Sequence, residues 1–592
     1  MNVTPAPPAS DRPRRPWHEP LLAALAHSAL MLLAIPPVSL WGVSLIAVLP
    51  LAWSAGRATS RPWRDAALTI LGVLPMWAVM QTWTFVVAPL GFLPFILILA
   101  STSAGLFILT AGLLRRRLPW LPMVVITPIV WTAVEFFRGE LFFNGYGWGF
   151  ISHPLIDAPL LAAPARWLGV YFITFLAAAV AAIVLDLAVP RPRPTRWVAA
   201  VAAIPLIAWT LAALFPDPPS SPSADRVRVA ALQTNIPESN KTAWTVEQQL
   251  EDWKVFELDT VTAAGFKDPS RPRPDIIVWP ETMMPGPTLD PDALTVLAQE
   301  GIVYPRSAIE GPKSIAATAF ADRLLDMQAQ LDIPMLVGEE GVDGFRIVKA
   351  PDGGIDIEKD ARFNSVYLLQ SGRITRERYD KMRLTPFGET MPYISEWNWL
   401  ERQLLSFAAR GMLFDLGSGS AYHVFAAPAA SLGRDVRYVT PICFEVTVAS
   451  HCRKLVFDPS GARRADVIAN VTNDGWFQMS DLARAQHLQI ARWRSLELAT
   501  PMVRAANTGL CALVDHRGRL LASGIESAPG QPRIHGFLTG ELALHPGATL
   551  YARLGDALAW STLLATLALL GLAFIRRPRP IAPAPAATRT PA

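Results

Sequence analysis

The chain has 592 residues, of which 51% are apolar and only 17% charged, with a formal net charge of +4 and a positive mean hydropathy of +0.29. Soluble globular chains carry roughly a quarter charged residues, so a purely soluble enzyme does not fit and membrane insertion is expected. The basic residues sit in short clusters between apolar runs, a pattern of membrane topology rather than of nucleic-acid binding.

Residues 1–19, rich in Pro and Arg, read as a disordered cytoplasmic tail. Seven apolar runs follow, at about 20–36, 38–56, 66–84, 92–114, 119–137, 167–189 and 197–215, and an eighth lies at about 555–575. Each is close to the ~20 residues that cross ~30 Å of hydrocarbon. The expectation is a membrane domain over 20–215 with seven transmembrane helices, and an eighth helix at 555–575. Arginines cluster in the N-terminal tail, at Arg57/Arg61/Arg64, Arg115–Arg117, Arg191/Arg193/Arg196 and Arg576/Arg577/Arg579, and the connectors between carry few or none. Under the positive-inside rule both termini are cytoplasmic and the segment from about 216 to 550 lies outside. Within the runs, His27 and Glu135 are costly ionisable groups, and Arg138 is the expected partner of Glu135.

Residues 225–545 read as one globular α/β domain, because β-branched runs such as Val227–Thr234, Asp275–Thr282, Pro334–Glu339, Val436–Glu445 and Asp466–Thr472 alternate with helical patterns such as Ala483–Leu498. The stretches Tyr304–Asp332 and Gly341–Lys359 carry no legible motif and read as surface elaborations or a lid, the second with a hairpin signal at Asp352-Gly353-Gly354. Residues 576–592 are a low-complexity Pro/Ala tail, expected to be disordered.

Three residues at strand ends carry candidate chemistry. Glu281 closes the apolar run IIVWPET, where partial desolvation suits a carboxylate to general-base work near neutral pH. Lys381 lies in YDKMRLTPFGE, and Cys443 follows VTPI at a sharp strand-end turn. An ammonium near that thiol would lower its pKa and stabilise an oxyanion. Each has a plainer alternative: a strand-end cap, a solvated loop lysine, a buried small hydrophobe. Cys443, Cys452 and Cys511 are too few for a disulfide framework, and the latter two read as structural. His487 and Arg492 lie on a helix with Arg494 and Glu497 at i,i+3 spacing, which reads as a salt-bridged structural helix. Asn470, Asn473 and Asp474 read as turn chemistry or active-site wall. The nine histidines show no close pair with zinc-ligand spacing, so no metal and no cofactor is implied.

The order WPE (Glu281), YDK…PFGE (Lys381, Glu389) and PICFE (Cys443, Phe444, Glu445), with NVTNDGWF and RAANTG downstream, resembles the nitrilase, or carbon–nitrogen hydrolase, superfamily. With the apolar runs around it, the whole chain resembles the bacterial apolipoprotein N-acyltransferases. The resemblance implies an α-β-β-α sandwich beside the helical membrane domain, and Glu281 as general base, Lys381 as oxyanion stabiliser helped by the Phe444 N–H, and Cys443 as nucleophile. It implies supporting roles for Glu389 and Glu445, and matches Trp244 to a substrate-binding tryptophan of the family, whereas Trp476 and Phe477 read either as facing a lipid chain or as buried in the domain core. Many members have Tyr where this chain has Phe444, so a hydroxyl-dependent role is lost there. The implied partners are a phospholipid acyl donor, a diacylglyceryl-modified apolipoprotein acceptor and membrane lipid, with no nucleic acid. The implied location is the inner membrane with the catalytic domain periplasmic. A membrane-bound amidase with the same three residues, and an inactive scaffold or sensor, are the competing readings.

Overall fold

The computed structural model describes residues 16–57, 61–188, 195–215, 224–236, 244–265, 272–306, 314–349, 355–386, 388–390, 399, 416–477, 480–524 and 534–575. The two terminal tails expected to be disordered fall almost wholly outside these residues. One boundary moves: the first helix already begins at Glu19, a buried carboxylate paired with Arg57 at 3.1 Å.

All eight apolar runs are helical, as Glu19–Ala34, Trp41–Ile46 with Leu49–Gly56, Pro62–Met80, Pro89–Ala100 continuing to Leu106–Arg117, Met123–Phe136, Val170–Ala188, Thr195–Leu214 and Ala557–Ile575. Four helices among the described residues are long and apolar enough to cross a membrane: Pro89–Arg117, Val170–Ala188, Arg196–Leu214 and Ala557–Ile575. Others are shorter for local reasons. Pro36-Pro37 stops the first, and the second is split between a tight 3-10 segment and a short α-helix. The ionisable groups in these helices are hydrogen-bonded. His27 Nδ1 lies 2.7 Å from the Ala47 carbonyl, and Glu135 accepts from Trp131, Thr174 and the Ile151 N–H. Arg138, the expected partner of Glu135, donates instead to the carbonyls of Tyr146 and Trp148.

The remaining chain forms sixteen described strands: β1 Arg226–Gln233, β2 Ile276–Val278, β3 Val303–Pro305, β4 Ser314–Ala316, β5 Met335–Asp343, β6 Arg346–Lys349, β7 Ile355–Glu358, β8 Ala361–Gln370, β9 Arg373–Asp380, β10 Phe425–Ala429, β11 Arg434–Val439, β12 Val467–Asn473, β13 Met502–Asn507, β14 Ala512–Val514, β15 Leu520–Ser523 and β16 Gly536–Ala543. They build two six-stranded sheets, β16-β1-β2-β5-β8-β9 and β10-β11-β12-β13-β14-β15. The inner faces share one core, in which Val229, Val278 and Leu336 of the first meet Val436, Val467 and Ala505 of the second. Helices Val246–Ala263 and Ala319–Leu331 cover the outer face of the first sheet, and Ala449–Val456 and Asp481–Leu498 lie on the second. This is the expected α-β-β-α layering. Each sheet has a parallel centre, β1-β2-β5 and β11-β12-β13. Clefts in such sheets form beyond the carboxyl ends of the parallel strands, and here those ends carry Glu281, Cys443, Asn473 and Asn507.

The C-terminal half of the Tyr304–Asp332 stretch belongs to the core rather than to a surface elaboration. Its helix Ala319–Leu331 buries Phe320, Leu324 and Leu331 against the first sheet, an amphipathic face hidden in a segment without sequence motif. In Gly341–Lys359, β6 and β7 pair antiparallel, and the turn signal Asp352-Gly353-Gly354 lies outside the described residues.

Candidate active site

Glu281 follows the short buried strand β2, and Thr282 after it has a left-handed backbone (φ 44°). The carboxylate is buried and held at both oxygens: Oε1 accepts from Asn364 Nδ2 at 2.6 Å, Oε2 from the Asn473 N–H at 2.7 Å. Asn364 comes from β8 and Asn473 from the end of β12, so both sheets grip this one side chain. Gly338 is needed alongside, because a Cβ there would lie 2.6 Å from the Pro280 carbonyl and 2.8 Å from Glu281 Cα.

Lys381 emerges from the end of β9, its N–H bound to the Asn364 carbonyl at 2.8 Å. Its ammonium lies 2.8 Å from Glu389 Oε2, 2.9 Å from Glu389 Oε1 and 3.5 Å from Glu281 Oε1. Burial alone would discharge this ammonium, but the carboxylates of Glu389 and Glu281 outweigh it and raise its pKa. Burial likewise works against the Glu389 carboxylate, and Lys381 with the Thr385 N–H holds it below its usual value. The lysine is therefore a fixed cation.

Cys443 opens the 3-10 turn Cys443–Thr447 with a left-handed backbone (φ 47°), a strained conformation for a residue with a Cβ. Its thiol is half-buried, within reach of the Thr472 hydroxyl and under the charges of Glu281, Lys381 and Asp474. The expected lowering of its pKa does not occur: burial and the charge of Glu281 outweigh Lys381 and push the thiol up. Burial and the Glu281 charge thus favour the protonated thiol. The Phe444 N–H lies in the first turn of that short helix, where no intrahelical acceptor exists.

Glu445 is fully buried and ties the Lys381 loop to the Cys443 turn. Its carboxylate accepts from the N–H groups of Met382 (2.7 Å), Arg383 (2.9 Å) and Ile442 (2.8 Å), and from the Tyr379 hydroxyl. His451 stands 3.2 Å away. Burial disfavours this carboxylate, but His451 and the backbone donors hold it below its usual value.

One residue that read as structural, His487, reaches the site. His487 Nε2 lies 3.3 Å from the Cys443 carbonyl, and its Nδ1 lies 2.9 Å from Asp474 Oδ1. Arg504 joins that buried network through Asp474 and Asn470, and Asn470 donates to the Pro441 carbonyl. Arg494 and Glu497 form the expected i,i+3 ion pair at 2.8 Å. Sequence reasoning missed Asn364 altogether. Its only signal was a polar residue interrupting the apolar part of ARFNSVYLL.

The three aromatic candidates separate. Phe477 is buried edge-on to Trp83, Trp148 and His487, beside the site, whereas neighbouring Trp476 is 36% exposed. Trp244 lies at the start of helix Val246–Ala263, its indole donating to Asp252, and it packs on the outer-face core rather than on Cys443. No group of three metal-ligating side chains occurs among the described residues.

Residues 27–183 match the family described as apolipoprotein N-acyltransferase N-terminal domain, and residues 228–534 match the family described as carbon-nitrogen hydrolase. The chain is 29% identical to the apolipoprotein N-acyltransferase of Bordetella bronchiseptica, over 95% of this chain and 98% of that protein. It is 27% identical to that of Geobacter metallireducens, over 95% and 96%. It is 26% identical to that of Haemophilus ducreyi, over 89% and 92%.

Proposed function

This chain belongs to the carbon–nitrogen hydrolase family and, within it, to the apolipoprotein N-acyltransferases, and from that premise we propose that Cys443 carries a fatty acyl group from a phospholipid to a lipoprotein amine. Glu281 takes the Cys443 proton as the sulfur attacks the ester carbonyl of the phospholipid. Lys381 and the Phe444 N–H stabilise the tetrahedral oxyanion. Glu281 returns the proton to the leaving glycerol oxygen, so lysophospholipid departs and a thioester remains. The free α-amino group of a diacylglyceryl-cysteine then attacks the thioester, Glu281 receives its proton, and the amide forms as Cys443 regains its thiol.

One observation supports this reading above the rest: the carboxylate of Glu281, pinned from both sheets, stands 3.5 Å from the buried Lys381 ammonium, and the charges of both act on the Cys443 thiol. Both substrates are lipids, which accounts for a catalytic unit joined to apolar helices. The arginine pattern supports an inner-membrane location with the catalytic unit on the periplasmic side and both termini in the cytoplasm.

The test uses purified chain, a phospholipid with a labelled acyl group and a diacylglyceryl-cysteinyl peptide. The N-acylated peptide should form through a hydroxylamine-labile acyl-enzyme that Cys443→Ala abolishes. Release of free fatty acid alone, with the peptide unmodified, would favour a hydrolase instead.

A further inference from the structure

The membrane-side segment Arg138–Trp148 reaches the nucleophile's turn and the helix that follows it at three points. Tyr146 stacks on Phe444 with ring centroids 6.1 Å apart, its carbonyl held by Arg138. Gly147 lies so close to the turn that a Cβ there would sit 2.7 Å from the Thr447 carbonyl. The third contact is Glu140.

Helix Ala449–Val456 begins directly after the Cys443 turn, and its N-cap residue, Val448, has no side chain able to accept the unpaired N–H groups of the first turn. Glu140 supplies that acceptor from the other unit. Its Oε1 accepts from the N–H groups of Ala449 (3.0 Å) and Ser450 (3.4 Å), and its Oε2 from the Ser450 hydroxyl at 2.5 Å. The exchange is reciprocal, because Glu497 of the catalytic unit accepts the Val170 N–H at the start of helix Val170–Ala188.

The capped helix leads to the catalytic groups. It carries His451, which pairs with Glu445, and Glu445 grips both the Ile442 N–H before the nucleophile and the Met382 and Arg383 N–H groups after Lys381. We propose that Glu140 is a positioning residue for the acyl transfer: by capping helix Ala449–Val456 from the membrane side it sets the placement of Cys443 against Glu281 and Lys381. This rests on Cys443 being the nucleophile.

The experiment compares Glu140→Ala, Glu140→Gln, Ser450→Ala and Cys443→Ala in the full-length chain, with folded enzyme normalised by thermal unfolding. The readouts are kcat, KM for the phospholipid, and the rate at which a small alkylating reagent modifies Cys443. Misplacing reacting groups by about an ångström can cost on the order of a hundredfold, so Glu140→Ala should lower kcat by about tenfold or more with KM little changed. Cys443 alkylation should change in step. Glu140→Gln keeps a carbonyl oxygen for the helix N–H groups and should restore most of the rate. Ser450→Ala, which removes one contact and leaves the backbone cap, should fall between and remains informative if Glu140→Ala does not fold. Normal kcat and alkylation per folded molecule in Glu140→Ala, with only the melting temperature lowered, would overturn the positioning role. An acyl-enzyme surviving in Cys443→Ala would instead remove the nucleophile assignment, a separate failure.

Discussion

A thiol that burial and a neighbouring carboxylate keep protonated attacks only when its proton has an acceptor. Alkylation of Cys443 should therefore rise with pH without levelling off below about pH 9, above the range of activated cysteines. A plateau near neutrality would contradict this. Glu445 is a buried charge with four donors and a histidine around it, so Glu445→Ala leaves those groups unpaired and should cost about 3–5 kcal/mol, read as a lower unfolding midpoint. His487 gives a pH signature. Burial and Arg504 lower its pKa below the unfolded value, although Asp474 opposes them. Its contribution is complete above the unfolded value of about 6.5 and is lost as pH falls below it, because the unfolded chain takes up the proton first. Replacing His487 with Gln should flatten the stability profile between about pH 6.5 and 5, measured as melting temperature against pH.

At the scale of elements, the site depends on close backbone approach. Gly338→Ala would press a methyl into the Pro280 carbonyl and the Glu281 backbone, at about 1–3 kcal/mol, and should lower kcat by displacing Glu281, the proposed base. The strand-end positions of Glu281 and Cys443 were legible because each follows an apolar β-branched run broken by Pro, and the structure places both beyond parallel strands. The helix Ala319–Leu331 was not legible as part of the core. Its amphipathic face becomes meaningful only against the outer face of a sheet assembled from strands as far apart in the chain as β1 and β9.

For the whole molecule, the apolar and catalytic units meet along helix Asp481–Leu498. Gln486 accepts from the Trp148 indole at 2.9 Å, Trp493 donates to the His153 carbonyl at 3.2 Å, and Glu497 holds the Val170 N–H. The proposed orientation gives a direct expectation for single cysteines placed in the exposed positions Ser460 and Arg61. In spheroplasts, a membrane-impermeant thiol reagent should label the first and not the second. The reverse pattern would invert the topology drawn from the arginines.

Composition and run lengths alone determined that this chain joins apolar helices to an α/β unit, because desolvation and backbone hydrogen bonding act locally and leave a periodic record. Glu281, Lys381 and Cys443 could likewise be singled out as candidates, since each stands in a short contiguous motif. Only the tertiary structure decided how these groups are held. Asn364 and the Asn473 N–H grip Glu281, His487 reaches the Cys443 carbonyl, and Glu140 caps a helix some 300 residues away in the chain. Such contacts leave no pattern in sequence spacing. It also reversed the expected charge balance at Cys443, because a pKa is set by the sum of burial and every neighbouring charge, and that sum exists only once the two sheets have closed around the sulfur.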